Sequence, residues 1–191
     1  MPDDLVLRSD ADGVATLTLN RPSKLNALTP GLVVELLRSH GVSKVLAWDE
    51  TVLPVPGVRD AVAAAGMELV EGDVPGTAAD RMSHQAGYAA VDAGITGATA
   101  GFTTSGSVVL TAGPGRPRMA SLIPTLHLVL LPIATLHGSV SQWAEDNVAL
   151  AASTSNLVFI TGPSRTGDIE MQLNLGVHGP RTVHVVLVPE R

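Results

Sequence analysis

The stretch Gly31-Leu-Val-Val-Glu-Leu-Leu-Arg-Ser-His-Gly-Val-Ser-Lys-Val-Leu-Ala-Trp48 sets the grammar of the chain. Val33, Val34, Leu36 and Leu37 recur at helical spacing, and Gly41 stands where a glycine closes a helix in the left-handed conformation. The next apolar run, Lys44 to Trp48, is short and reads as a strand. A helix, a glycine stop and a buried strand together are the repeating unit of an α/β sheet.

Downstream the unit recurs. Gly57–Ala65 reads as a helix ending at Gly66, Met67–Val70 as a strand and Ala78–Val91 as a helix. Ile95–Thr103, Ser107–Thr111 and Leu126–Leu131 read as strands. Ser139–Leu150 reads as a helix capped by Ser139 or Ser141, followed by a strand at Leu157–Thr161. A helix at Gly167–Leu175 and a closing strand at Thr182–Val188 complete the pattern. Such alternation predicts an α/β fold with a mostly parallel sheet covered by helices. Upstream, Val14–Leu19 alternates with period two after the Asp12-Gly13 turn signal, and Leu5–Arg8 is its expected partner in a hairpin.

Composition narrows the function classes. Of the 191 residues 45% are hydrophobic and 16% charged, so there is material for a core. Twelve basic against eighteen acidic residues give a net charge of −6, which argues against nucleic acid as a partner. With no cysteine, thiolate zinc sites, thiolate-held iron–sulfur clusters and cysteine nucleophiles are excluded for these residues. No histidine pair has ligand spacing and no G-x-G-x-x-G is present, so neither metal nor flavin is expected as a cofactor. The acidic Met-Pro-Asp-Asp start is unlike a signal peptide. The most apolar run, Leu122–Leu136, is broken by Pro124, His127 and Pro132, so no membrane partner is expected and the location expected is cytoplasmic.

Three stretches carry candidate chemistry. In Phe159-Ile-Thr-Gly-Pro-Ser-Arg-Thr-Gly-Asp-Ile-Glu170, a strand runs into a loop and then an expected helix start. Ser164, Arg165 and Thr166 with the free N–H groups there would suit a small anionic ligand, and Asp168 and Glu170 follow. Thr166 could equally be a plain N-cap, with Asp168 only complementing the helix dipole. Thr104-Ser105-Gly106 and Gly113-Pro-Gly-Arg-Pro-Arg-Met-Ala-Ser121 offer close backbone approach and two cations, Arg116 and Arg118, with Ser121 as a further candidate. A basic surface turn is the plainer reading of them. His178, in Gly176-Val-His-Gly-Pro-Arg181, could bind a ligand or simply hold its turn. No catalytic dyad is recognisable.

Several of these segments, taken in order, resemble one family. Ile95-Thr-Gly-Ala98, Gly113-Pro-Gly-Arg116, Ser121-Leu-Ile-Pro124, Phe159 to Thr166, Asp168-Ile-Glu170 and Gly176-Val-His-Gly-Pro180 look like the LUD domain of the lactate-utilization protein C family, over about residues 33–191. The resemblance implies a fold of the NagB/RpiA/CoA-transferase type. It also implies a non-redox subunit or accessory protein working beside iron–sulfur partner subunits in oxidising L-lactate to pyruvate. The alternative is a stand-alone enzyme holding a phosphorylated or CoA-linked metabolite in the strand-end crevice. Many relatives carry Glu-Thr-Gly where this chain has Thr104-Ser105-Gly106, so a carboxylate is missing there. Separately, Gly13-Val-Ala-Thr-Leu-Thr-Leu-Asn-Arg-Pro22 with Asn26-Ala-Leu28 is similar to the opening hairpin of the crotonase family over residues 5–32. No later crotonase loop follows. Residues 1–32 are therefore expected to be a hairpin appendage and 33–191 the α/β domain.

Overall fold

The computed structural model describes residues 6–11, 14–19, 29–72, 87–88, 90–154, 156–167 and 173–189. The first strands, β1 (Val6–Ala11) and β2 (Val14–Leu19), pair antiparallel from Val6↔Leu19 to Ala11↔Val14. Half-buried Val6 packs against the main core. Helix α1 (Pro30–Ser39) then starts with proline at its first position, where a missing N–H costs nothing. Thr29 caps it, its Oγ1 accepting from Leu32 N at 3.3 Å. Its buried face is Leu32, Val33, Val34, Leu36 and Leu37, and Gly41 closes it at φ 68°.

Five strands form the central sheet: β3 (Lys44–Ala47), β4 (Glu68–Val70), β5 (Ala93–Gly97), β8 (Leu126–Pro132) and β13 (Thr182–Val188). Their order is β4-β3-β5-β8-β13, every neighbouring pair is parallel, and α2 (Val58–Ala64) makes the crossover from β3 to β4. Ranked by chain position this is the doubly wound order 2-1-3-4-5. β5 is buried at every residue and β8 at all but its last, as a sheet covered on both faces requires. Gly94 is needed for that cover. A Cβ there would run into the backbone carbonyl of Ala120, which belongs to a 3₁₀ turn, Arg118–Ser121, lying on the sheet.

A second sheet, in the order β10-β7-β6-β9, grows from the first. It comprises β6 (Ala100–Phe102), β7 (Val108–Thr111), β9 (Leu136–His137) and β10 (Leu157–Ile160). β7 is antiparallel to both its neighbours, and β6 and β9 are parallel. Helices α3 (Val140–Asp146) and α4 (Val148–Ser153) precede β10. Trp143 of α3 meets Phe102 edge-on at 5.6 Å and Phe159 at 6.3 Å, building a small aromatic core.

The structure corrects several expectations of detail. The strand expected over Ile95–Thr103 turns a corner at Ala98–Thr99 and divides between the two sheets. The helix expected over Ser139–Leu150 keeps its Ser139 cap but breaks at Asn147, whose Nδ2 donates to the Trp143 carbonyl at 2.9 Å. The strand at 157–160 belongs to the mixed sheet, antiparallel to β7, and does not end in a parallel crevice. At both ends of the helix expected over Gly167–Leu175 the described residues are strands, β11 (Arg165–Gly167) and β12 (Leu173–Leu175), paired antiparallel, and residues 168–172 lie outside the described residues. The expected helix over Ala78–Val91 lies almost wholly outside the described residues. No helix among the described residues is long and apolar enough to cross a membrane.

Candidate functional site

In a 2-1-3-4-5 sheet the first and third strands hand the chain to opposite sides, and a crevice opens beyond their carboxyl ends. Here those strands are β3 and β5. Trp48 follows β3, and its N–H donates to the Ile95 carbonyl at 2.9 Å. Gly97 ends β5 and Ala98 follows it, and Pro132 ends β8. These four residues line a cleft of about 410 Å³ together with Val52, Leu53, Pro54, Thr111, Arg116 and Leu150. A neighbouring cleft of about 540 Å³ shares Val52, Thr111, Arg116 and Leu150 with it. Arg116 therefore stands where the two meet.

The sequence explains how Arg116 is held. In Gly113-Pro-Gly-Arg116 the Arg116 N–H donates to the Gly113 carbonyl at 2.9 Å, and Gly115 sits at φ 69°. A proline followed by a positive-φ glycine is what a type II turn demands. The Asp49 N–H donates to the Gly115 carbonyl at 2.8 Å, tying the turn to the end of β3. The guanidinium carbon lies 5.7 Å from the centre of the Trp48 ring, and Nη1 donates to Thr111 Oγ1 at 2.9 Å. Thr99 Oγ1 lies 3.1 Å from that same hydroxyl.

Among the described residues no acid pairs with Arg116. The ion pairs among the described residues are Arg38–Glu35, Lys44–Glu68 and Arg59–Glu71. Among the described residues, Arg116 Nε, Trp48 Nε1 and Asn156 Oδ1 are buried with no hydrogen-bond partner. All three residues line one small cavity of about 10 Å³, which Arg118 and Ser121 also border. Arg118 is exposed, and its carbonyl accepts from Ser121 Oγ at 3.0 Å, closing the 3₁₀ turn.

The remaining candidates lie elsewhere. Thr104, Ser105 and Gly106 form the exposed turn between β6 and β7, at the end of that hairpin away from Thr111. Thr104 Oγ1 donates to the Gly138 carbonyl at 2.8 Å. Ser164 and His178 come together, since the His178 N–H donates to Ser164 Oγ at 3.3 Å and the Ser164 N–H to the Pro180 carbonyl at 2.9 Å. Pro180 leads into the start of β13, so this pair marks the amino end of the parallel sheet, opposite the Arg116 clefts. Arg165 and Thr166 continue from there in β11, and Asp168 and Glu170 lie outside the described residues. The helix start that would have gathered Arg165 and Thr166 around an anion is therefore replaced by a strand. Trp48, Thr111 and Asn156 belong to no sequence motif. Their signal is positional, because Trp48 directly follows the first strand at the switch point.

One buried titratable group sits on the sheet itself. His127 of β8 is wholly buried, with Nε2 2.9 Å from Thr96 Oγ1 on β5. Burial pushes its imidazole down to about 4, so it is neutral at physiological pH. Among the described residues no group of three or more histidines and carboxylates could hold a metal ion.

Comparison with known proteins bears on the same residues. The family model of the LUD domain matches residues 28–188, which start downstream of the β1–β2 hairpin. Lactate utilization protein C of Halalkalibacterium halodurans is 32% identical over 160 residues, covering 82% of this chain and 67% of that protein. Lactate utilization protein C of an Exiguobacterium species is 43% identical over 101 residues, covering 51% of this chain and 44% of its own length. The chain thus spans from under half to about two thirds of these relatives. A crystal structure of a DUF162 family protein from Deinococcus radiodurans covers 85% of this chain and 99% of that one, at 16% identity and a TM-score of 0.45.

Proposed function

The chain belongs to the LUD domain family, and from that membership we propose that it serves lactate utilization as a subunit or accessory protein without a redox centre of its own, beside iron–sulfur partners. The observation that carries the reading is the match to lactate utilization protein C, at 32% identity over 82% of the chain. Oxidising L-lactate to pyruvate releases two protons and two electrons, and the electrons need an acceptor. These 191 residues contain no cysteine to ligate a thiolate-held cluster, so in this reading the electrons pass to a partner. The chain's own share is then to bind and orient. A switch-point cleft with an arginine that pairs with no acid among the described residues supports that role.

Deleting the coding sequence in the native host tests this. Growth on L-lactate should fail while growth on glucose continues, and the tagged chain should co-purify with identified iron–sulfur proteins. Unchanged growth on L-lactate would overturn the reading. Lost growth without iron–sulfur partners would favour the stand-alone enzyme acting on a phosphorylated or CoA-linked metabolite.

A further inference from the structure

We propose that Arg116 and Trp48 form the charged end of a binding site for a small organic monocarboxylate, set in the switch-point cleft. The ligand class deepens the lactate reading and rests on it. The site itself rests on the side chains. Buried N–H groups in folded proteins almost always find an acceptor. Here two of them, Arg116 Nε and Trp48 Nε1, have none, and both residues border the same cavity of about 10 Å³. That space has room for roughly one oxygen atom. A carboxylate is acceptor-only, so one of its oxygens answers both donors at once while the other stays in the cleft.

Pre-organisation strengthens the case. The guanidinium is already fixed by Thr111, by the Trp48 ring beneath it and by a turn docked on Asp49. It therefore loses little conformational freedom when an anion arrives. The nearby carboxylates are engaged elsewhere. Asp49 accepts from the Thr51 N–H and hydroxyl, and Glu50 from the backbone N–H groups of Gly57 and Arg59.

The lining of the cleft favours an organic anion over inorganic phosphate. Beyond Arg116 the cleft offers an alkyl or methyl group the side chains of Val52, Leu53, Pro54 and Leu150, and a polar group the hydroxyls of Thr51, Thr99 and Thr135.

The two tryptophans make the test direct. In a nitrogen-15 spectrum of the 191-residue chain each indole N–H gives its own signal, and Trp48→Phe assigns them. L-lactate and pyruvate should shift the Trp48 signal saturably and leave the Trp143 signal in place, whereas inorganic phosphate should move neither. Arg116→Gln should weaken binding by about tenfold or more, the loss of a hydrogen bond to a charged group. Arg116→Lys, which keeps the charge without the fork, should fall between. An unmoved Trp143 signal reports that each variant is folded. If Arg116→Gln does not fold, calorimetry on Trp48→Phe supplies the same comparison through the other donor. Neither acid moving the Trp48 signal, phosphate alone moving it, or undiminished binding by a folded Arg116→Gln would each overturn the site. Failure of the site with lactate-dependent growth intact would leave the proposed function standing. Binding without any role in growth would do the reverse.

Discussion

Acidification should weaken this fold through His127, by an amount the structure sets. The imidazole is wholly buried on β8 and its pKa is pushed from the ordinary 6.5 down to about 4. Above pH 6.5 it is neutral both folded and unfolded, so its contribution there is full. Between 6.5 and 4 the unfolded chain takes up a proton that the folded chain refuses, so stability falls as pH falls through that window. At about 1.4 kcal/mol per unit the loss approaches about 3 kcal/mol near pH 4, and is about 2 kcal/mol at pH 5. Urea unfolding of the wild type and of His127→Leu at about pH 7.5 and about pH 5 isolates this group. Burial and the charge of His40 lower the His184 pKa too, but that pair and the carboxylates are common to both chains and cancel. His127→Leu loses the contact with Thr96, which costs about 1 kcal/mol at either pH. The wild type should lose about 2 kcal/mol more than the variant between the two conditions. Equal losses would refute the argument.

Gly94→Ala should lower stability by about 3 kcal/mol, at the upper end for overpacking, because the obstacle is the Ala120 backbone carbonyl. Thermal unfolding should show a drop in Tm of roughly 6–12 °C. Asp92 Oδ2 accepts from Ser43 N, Ser43 Oγ and Lys44 N, at 2.8 to 2.9 Å. Burial raises its pKa, but those hydrogen bonds and the Lys44 charge outweigh it and hold the carboxyl below the usual range. Its support is thus full above the ordinary carboxylate pKa and fades as pH falls through the lowered value, so Asp92→Asn should show a shallower acid unfolding curve than the wild type. Trp143→Ala should cost about 3–5 kcal/mol in urea unfolding, since it empties the centre of the aromatic cluster. Removing residues 1–27, which spares the Thr29 cap, should leave a cooperative melt, and a lost transition would show that the hairpin supplies core.

Much of the central sheet could be read from residues one at a time. Apolar runs bounded by glycine or proline locate β3, β8 and β13, and Ser139 and Gly41 mark helix ends by chemistry that depends only on near neighbours. Strand order is different, because it depends on which distant runs pair, and a sequence of runs does not state that. The β11–β12 pair is hard to read from sequence for a local reason. Asp168 and Glu170 imitate the acidic first turn of a helix, yet Ile169, Met171, Leu173 and Leu175 alternate with period two. Among the described residues, the strand at Leu173–Leu175 follows that alternation. Of the site, Arg116 was visible as a cation in a glycine-rich turn. Trp48, Thr111 and Asn156 were not, since each becomes informative only once the switch point is known.

The sheet's outer member, β13, also has a consequence in time. It pairs with β8 alone, from Thr182↔Leu126 to Val188↔Pro132. Roughly fifty residues separate the two, so a ribosome adding about 5–20 residues per second leaves the far side of β8 unpaired for several seconds after β8 itself is made. During that interval a row of open N–H and C=O groups beside Leu128 and Leu130 can recruit any extended chain that comes near. A slow codon or a stall between residues 132 and 182 would lengthen that exposure, and chaperone demand during synthesis should track the delay more closely than it tracks the stability of the finished protein.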